Sequence, residues 1–418
     1  MRNQSVLKLL TMVCLTMAAA MPAAAQAPPS SVPDTEAPQQ ATPPQTRQGA
    51  IEQEQADKAQ KLHPYVPNKG EAIFDRLDAV LEGGRLRWHP FFDSAYAGGG
   101  FTLGLGYSTY VSPYNLIDVR GSYTISGYKR AEVEFIAPRM FKRRGQLSVL
   151  GGWREATDVN FFGVGPDTAK DDSSSYRFQQ PYGSALLTLF PTRRNFMLRG
   201  GVELSRWSQE AGDGTPTVDE VYTPATLPGL GAEVTYVHSQ GTVGLDWRTS
   251  PGYSRRGAFL GATLHDYNDR DSAFGFHIAE YEGIAHLPIL RETWVLSFRA
   301  RMQHASEKDD QQIPFFMLPA LGGGSSLRGY SSWRFRDQNS LLLQAEWRIM
   351  INRYLDMAFF YDAGKVAPRT SDLDLKHLKD DFGFGLRFHG PFATPLRVEV
   401  ARSRENSLSL IFASSASF

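Results

Sequence analysis

One arginine within a glycine-rich segment, followed by three carboxylates further along the chain, is the arrangement best suited to chemistry. Residues 322–330 read GGGSSLRGY and contain Arg328, and the carboxylates are Glu346, Asp362 and Glu399. A flexible loop could bring Arg328 against these carboxylates, where charge-assisted hydrogen bonds would hold the loop firmly. The alternative is a solvated loop in which the arginine has no particular partner.

Other chemistry is poorly supported by the sequence. The glycine run lacks the Gly-Lys-Ser/Thr ending of a phosphate loop and contains no G-x-S-x-G nucleophile elbow. Catalysis would need a nucleophile, a base and an orienting acid within reach, for which His265 and His304 are only loose candidates. The single cysteine, Cys14, lies in an apolar N-terminal stretch. We therefore predict no enzyme, no catalytic residues, no metal site and no cofactor.

The carboxylates belong to segments in which apolar and polar residues alternate. Successive side chains of a β-strand point to opposite faces, so each parity forms one face. In residues 340–351 one face is apolar and the other carries charge: Leu341, Leu343, Ala345, Trp347 and Ile349 against Leu342, Gln344, Glu346 and Arg348. The same alternation places Asp362, Arg387 and Glu399 on the charged face of later strands. One face for hydrocarbon and one for water is the pattern of a transmembrane β-barrel.

The alternation recurs along residues 98–418 and predicts an all-β fold, a transmembrane antiparallel β-barrel of about 16 strands. An even number is the rule for single-chain bacterial outer-membrane barrels, which have short periplasmic turns and long external loops. Mean hydropathy is only −0.33, as expected when half of each strand faces water. The predicted strands span residues 98–110, 115–126, 129–138, 145–157, 174–192, 195–208, 231–247, 257–267, 273–288, 291–304, 313–319, 340–351, 355–366, 381–390, 394–402 and 407–418.

The segments before the barrel have the composition of processing and linker regions. Residues 1–25 match a secretion signal peptide, with a basic start, an apolar stretch and small residues at the cleavage site. Residues 26–70 are rich in Pro and Gln and predict a disordered linker, although the charged part at 47–62 could be a solvated helix. Residues 71–97 predict a short periplasmic helix, at 71–82, and a lead-in. That helix either covers the barrel rim or plugs the lumen.

Four short motifs, in order, resemble those of the BamA/TamA superfamily of outer-membrane assembly and secretion barrels. Residues 327–330 (LRGY) resemble its V/L-R-G-F/Y loop, and residues 346–348 (EWR) resemble E-x-R on the following strand. Residues 360–364 (FYDAG) and 383–387 (GFGLR) resemble its F-x-D-x-G and G-x-G-x-R strands. A looser match is residues 246–257, which are similar to its D-x-R…P…R-G turn.

The resemblance extends over residues 98–418 and implies how the glycine-rich loop is held. In that family the loop arginine packs inside the lumen against the aspartate of F-x-D-x-G. A pair between Arg328 and Asp362 is therefore implied, and the alternation of the strands independently points Asp362 inward. The predicted lumen loop anchor consists of Arg328, Gly329, Tyr330, Glu346, Asp362 and Arg387.

The resemblance also implies a place and a role. It predicts a protein of the bacterial outer membrane, in contact with outer-membrane lipid, that takes part in protein insertion or polypeptide translocation. Family members usually carry POTRA domains before the barrel, and residues 26–97 show no such pattern, so we expect a separate periplasmic partner protein and unfolded client polypeptides as partners. The alternative is a pore or transporter for small solutes or lipids.

Equal numbers of Lys plus Arg (44) and Asp plus Glu (44) give no indication of nucleic-acid binding.

The first and last predicted strands must meet to close the barrel. Gly104 and Gly106 lie in the first strand, and Leu410, Phe412 and Phe418 lie in the last. Glycine weakens strand pairing, so this seam could open and accept an incoming strand by β-augmentation. Alternatively, the glycines permit tight curvature and bulges. The sequence leaves both interpretations open.

Overall fold

The computed structural model describes most of the chain: residues 46–61, 87–192, 195–391, 393–414 and 417–418. The chain divides into two units, residues 1–67 and residues 68–418. The predicted signal peptide, 1–25, and the predicted helix, 71–82, lie outside the described residues.

The described part of the first unit is a helix, α1, at Arg47–Lys61. Most of its residues are Ala, Gln, Glu or Lys, which favour helix, and it contains no proline. Lys58 pairs with Glu54 one turn earlier at 2.7 Å, a pair that adds modest support to an exposed helix. The prediction of a disordered linker over residues 26–70 therefore does not hold for this stretch, where the helical alternative applies.

The second unit consists of one sheet of 16 strands and a separate two-stranded ladder. Its strands are β1 (Trp88–Pro90), β2 (Thr102–Tyr110), β3 (Leu116–Thr124), β4 (Lys129–Met140), β5 (Gly145–Phe161), β6 (Ser174–Leu189), β7 (Phe196–Ala211), β8 (Glu233–Asp246), β9 (Gly257–Asp269), β10 (Phe276–Leu290), β11 (Trp294–Glu307), β12 (Ala320–Leu321), β13 (Phe335–Arg336), β14 (Asn339–Asn352), β15 (Leu355–Ala367), β16 (Lys379–Phe388), β17 (Leu396–Ser403) and β18 (Ser409–Ala413). Short helical segments occur at α2 (Val218–Val221) and as 3-10 turns at Phe315–Met317 and Thr370–Asp372. No helix among the described residues is long and apolar enough to cross a membrane.

Strands of the large sheet follow one another in chain order, and each is antiparallel to the next. The one change in this order is that β11 pairs with β14, because β12 and β13 form their own ladder within the connecting segment. The predicted antiparallel fold and the predicted number of strands are both confirmed.

The membership of the sheet differs from the prediction at two places. Residues 313–319, expected to form a strand, instead form a 3-10 turn that starts after Pro314, and Phe315 and Phe316 are buried. These residues are apolar because they pack inside the mouth of the barrel, not because they face lipid. Strand β1, at the start of the sheet, brings the number of strands to sixteen, although the sequence assigned these residues to the lead-in. At three residues it is too short for an alternation to be detected.

Side chains of the sheet alternate between an apolar outer face and a polar inner face, as predicted. On β16, Phe382 and Phe384 are exposed, whereas Asp381 and Arg387 are buried. In a transmembrane barrel the outer band meets lipid hydrocarbon, and the inner charges are shielded from it.

The connections are short at one end of the barrel and long at the other. Among the described residues, the short-turn end carries 111–115, 141–144, 190–192, 195, 247–256, 291–293, 353–354, 389–391 and 393–395. The long-loop end carries residues 125–128, 162–173, 212–232, 270–275, 308–338, 368–378 and 404–408. A buried aromatic cluster, here the aromatic cap, fills the long-loop end: Phe161, Tyr176, Phe178, Trp207, Phe315 and Phe316. Short turns are periplasmic in outer-membrane barrels.

Candidate functional site

The connection between β11 and β14, residues 308–338, folds back into the barrel and is here called the lumen loop. The β12–β13 ladder forms its base, with Leu321 opposite Phe335. The Gly323 N–H donates to the Leu327 carbonyl at 3.0 Å and closes a compact turn. The apolar side of the loop packs on β14 and β15 in one buried cluster: Leu321, Leu327, Tyr330, Phe335, Leu342 and Val366.

Arg328 is the polar anchor of the lumen loop and is 1% exposed. Its Nε donates to Asp362 Oδ2 at 2.7 Å and its Nη2 donates to Asp362 Oδ1 at 2.8 Å, a bidentate pair. Its Nη1 donates to Glu399 Oε1 at 3.1 Å and to Glu346 Oε2 at 3.3 Å. The guanidinium carbon lies 3.5 Å from the centroid of the Phe360 ring, which covers it on one face.

Further arginines complete a buried network, here the lumen charge cluster. Arg387 Nη2 donates to Glu346 Oε2 at 2.5 Å and to Glu399 Oε1 at 2.7 Å. Arg397 Nη1 donates to Glu399 Oε2 at 2.7 Å. Buried charges are tolerated when they are paired and hydrogen-bonded, and each carboxylate here meets at least one guanidinium. The cluster joins β14, β15, β16 and β17 to the lumen loop.

The structure thus brings Arg328, Asp362, Glu346 and Arg387 together at one place. Glu399, which the sequence placed on the charged face as a candidate partner of Arg328, and Arg397, which was not singled out, belong to the same cluster. Both lie on the inward parity of β17, so the alternation that placed Glu399 inward also accounts for Arg397. No group of three or more His, Cys, Asp or Glu in the described part of the chain is arranged to hold a metal ion.

Gly329 and Tyr330 fix the lumen loop to the last strands. A Cβ added at Gly329 would lie 2.6 Å from the Asp381 Cβ, so glycine is required for this approach. The Gly329 carbonyl accepts hydrogen bonds from Ser403 Oγ at 2.8 Å and from Ser409 Oγ at 3.1 Å, on β17 and β18. The Tyr330 hydroxyl donates to the Asp380 carbonyl at 3.3 Å. The loop is therefore tied to the strands that end the sheet.

The end of the chain also lies inside the barrel. The Ser417 hydroxyl donates to Glu346 Oε2 at 2.9 Å and accepts from Arg387 Nη2 at 3.2 Å. Phe418 packs against Met197, Phe259 and Ile284, which lie on the opposite wall. The sequence predicted that Phe418 belongs to the seam, and this prediction is wrong because Phe418 packs inside the barrel. Strand β18 ends at Ala413, and the alternation of faces holds only within a strand.

The seam itself lies one strand earlier than the sequence suggested. Gly106 pairs with His89 of β1, and the Gly104 carbonyl accepts from the Phe91 N–H at 3.0 Å. Both glycines therefore lie in the second strand, and β1 forms that end of the sheet. A Cβ at Gly104 would lie 2.4 Å from both the Phe91 and the Gly121 carbonyl oxygens, so close approach of the backbone on both sides explains this glycine.

Strands β1 and β18 are the two ends of the sheet and form no ladder with each other in the described residues. Ser414 Oγ donates to the Asp93 carboxylate, and the rings of Phe101 and Phe412 are 5.6 Å apart. Leu410 and Phe412 are each 38% exposed on the outer face of β18. A cavity of about 560 Å³ lies between the segment after β1, strand β18 and the lumen loop, and its lining includes Phe92, Gly99, Ser325, Leu408 and Ile411.

A turn at the short-turn end reaches across the lumen. Residues 247–256 join β8 to β9, yet the Tyr253 hydroxyl donates to Asp356 Oδ2 on β15 at 2.6 Å. The same hydroxyl lies 3.0 Å from His389 Nε2, and the two rings stack with centroids 3.8 Å apart. Arg348 of β14 donates from Nη2 to the Ser254 carbonyl at 2.8 Å. This turn, here the crossing turn, closes part of the short-turn end.

Comparisons with known proteins agree with this geometry. A family model described as "Omp85 superfamily domain" matches residues 115–407. BamA from Haemophilus ducreyi lacking POTRA domains 1-3 is similar in structure, with a TM-score of 0.54 and 14% identity over 79% of this chain and 70% of that one. CdiB from Escherichia coli has a TM-score of 0.54 and 11% identity over 78% of this chain and 61% of that one.

No curated protein matches this chain in sequence. The two similar structures share little sequence identity with it and support the barrel fold alone. The family match is stronger evidence and shows membership of the family, because it spans residues 115–407, more than half of the 418 residues. It confirms the resemblance carried by the loop and strand motifs. This outer-membrane β-barrel protein belongs to the Omp85 superfamily.

Proposed function

We propose that this barrel inserts or translocates polypeptides at the outer membrane, together with a separate periplasmic partner protein. The observation that carries the proposal is the incomplete seam. Every neighbouring pair of strands in the sheet forms a ladder, whereas β1 and β18, at its two ends, do not pair with each other in the described residues. Strand β1 is three residues long, and β18 is five.

An incomplete seam provides what a client strand needs. Backbone N–H and C=O groups are costly when unpaired in hydrocarbon, so an entering polypeptide requires a strand edge as its partner. An edge strand that lacks a full ladder can accept another strand by β-augmentation. The short β1 holds its place through few hydrogen bonds, so its displacement breaks little structure.

The lumen loop holds the β18 side of the seam in place. Its carbonyl at Gly329 accepts hydrogen bonds from β17 and β18, and its arginine is held by the lumen charge cluster. Movement of β18 is therefore coupled to the loop through direct contacts. We assign the lumen loop the role of holding the last strands in register while the β1 side of the seam opens.

The contents of the lumen argue against the alternative of a pore for small solutes. The lumen loop, the crossing turn, the tail at Ser417 and Phe418, and the aromatic cap all occupy the barrel interior. A cavity of about 420 Å³ remains near β6 to β10, lined by Thr188, Arg199, Glu280 and Glu282 among others. A solute pore would require a continuous passage, and these elements interrupt it at both ends.

The test is insertion of an unfolded outer-membrane barrel protein into liposomes that contain this purified protein. We expect folding of the client to be faster than in protein-free liposomes and faster than in liposomes holding a porin of similar size, which controls for bilayer disturbance. Conductance of the same liposomes should stay near the protein-free level. No acceleration, with a high conductance, would instead favour the solute pore.

A further inference from the structure

Charge is distributed unevenly between the two ends of the barrel. In the described short turns the charged residues are nearly all basic: Lys142, Arg143, Arg144, Arg248, Arg255, Arg256, Arg291 and Arg353, against Glu292. The connections at the long-loop end carry both signs, with more Asp and Glu than Lys and Arg. The formal net charge of the chain is +0, so charge is segregated along the barrel and not simply in excess.

Several of these cations are not used by the fold. Four of them, here the basic rim, have exposed side chains that form no hydrogen bond or ion pair among the described residues: Lys142, Arg143, Arg256 and Arg291. Others in the same turns do have partners, such as Arg255, which lies 3.4 Å from Asp356. The basic rim is therefore available to an external anion.

Aromatic side chains stand beside the basic rim on the outer surface. Phe141, which precedes Lys142, is 58% exposed, and Trp294, three residues after Arg291, is 39% exposed. Phe and Trp at such positions form the aromatic girdle that marks the level of lipid headgroups in barrels. The cations of the basic rim thus lie at the depth where lipid phosphates are found.

We propose that the basic rim binds the phosphate groups of anionic phospholipids in the membrane leaflet at the short-turn end. Lys and Arg near a membrane surface attract anionic headgroups, and a guanidinium matches two phosphate oxygens at once. Lipid binding at this rim would hold the barrel at a fixed depth and orientation. This inference does not depend on the polypeptide-handling role.

The spacing of the rim favours lipid over a protein partner. Its residues come from two neighbouring turns, β8–β9 and β10–β11, and from the turn β4–β5, which lies four strands away in the sheet. A single small partner at the two neighbouring turns would not reach Lys142 and Arg143 in the turn β4–β5, whereas lipids surround the whole circumference. The exposed apolar residues that adjoin the rim also suit acyl chains and not a hydrated protein surface.

The experiment compares lipid binding by two variants that lose the same number of positive charges. The first is Lys142→Gln with Arg143→Gln and Arg291→Gln. The matched control is Arg369→Gln with Lys376→Gln and Arg404→Gln, three exposed cations at the long-loop end. Each full chain, purified in neutral detergent, is mixed with phosphatidylglycerol or phosphatidylcholine, and bound lipids are counted by native mass spectrometry. Heat-modifiable mobility in gels verifies that each barrel is folded.

We expect the unaltered protein and the long-loop control to bind phosphatidylglycerol roughly tenfold more strongly than phosphatidylcholine, and the rim variant to lose this preference. High salt should weaken the preference because exposed charges are screened. Equal binding of both lipids by the unaltered protein would overturn the proposal. So would an equal loss in both variants, which would indicate a dependence on total charge instead of on the rim.

Discussion

The guanidinium of Arg328 is stable inside the barrel because three carboxylates face it. Removing one partner of a buried charge pair leaves the other charges desolvated and uncompensated, which costs more than the pair itself contributes. Asp362 depends on this arginine most, since both of its oxygens accept from it. Glu346 and Glu399 have Arg387 as a second partner. The cost of losing Arg328 should therefore fall mainly on Asp362 and on the loop that carries the arginine.

Substitution Arg328→Ala should destabilise the barrel by about 3–5 kcal/mol, because it leaves buried carboxylates without their cation. Urea unfolding, followed by tryptophan fluorescence and by heat-modifiable mobility, measures the change. The matched control is Arg369→Ala, which breaks the exposed pair with Asp372 and should cost at most about 1 kcal/mol. Equal effects of the two substitutions would contradict the assignment of Arg328 as the anchor of the lumen loop.

At the level of residues, the sequence predicts contacts within strands better than contacts made by the chain end. Alternation alone points Glu346, Asp362 and Arg387 inward, and the family motif supplies Arg328 as their partner. The same alternation reaches Glu399. It could not predict that Ser417 joins the cluster, because the chain leaves β18 before that point and no periodicity describes an irregular tail.

Among the elements, the crossing turn is the clearest case of a contact hidden from sequence. Tyr253 and Asp356 are 103 residues apart, and the looser turn motif gives no indication of where its tyrosine points. Strands are easier to predict from the sequence, because each long strand shows its own alternation of apolar and polar residues. The exceptions are β1, which is too short to show a pattern, and residues 313–319, whose apolar character comes from the aromatic cap.

Substitution Tyr253→Phe should loosen the crossing turn. It keeps the ring that stacks on His389 but removes the hydroxyl that donates to Asp356, at a cost of about 1.5–3 kcal/mol for a lost hydrogen bond to a charged group. Limited proteolysis should then cut within residues 247–256 faster than in the unaltered protein. Tyr114→Phe, in another turn at the same end, is the control and should not change the cleavage. An unchanged rate for Tyr253→Phe would mean that the hydroxyl does not hold the turn.

For the whole molecule, the decisive feature is the place where the sheet begins and ends. Asp93 follows β1 and Ser414 follows β18, and their side chains are hydrogen-bonded to each other. Cysteines at these two positions should therefore form a disulfide, in a background that carries Cys14→Ser to remove the chain's one native cysteine. A second pair, Tyr107→Cys with Leu410→Cys, should not crosslink, because β1 lies beside Tyr107. The disulfide is detected as a change in gel mobility on reduction. If the first pair shows no such change, or if both pairs crosslink, the seam has been assigned to the wrong strands.

The most direct test of the account uses this lock in the liposome assay with an unfolded outer-membrane client. Protein carrying Asp93→Cys and Ser414→Cys is compared in its oxidised and reduced forms, so that the same sample serves as its own control. If polypeptides enter at the seam, the reduced form accelerates client folding and the oxidised form does not, and adding reductant restores the activity. Equal acceleration by the oxidised and reduced forms would contradict insertion through an opening between β1 and β18.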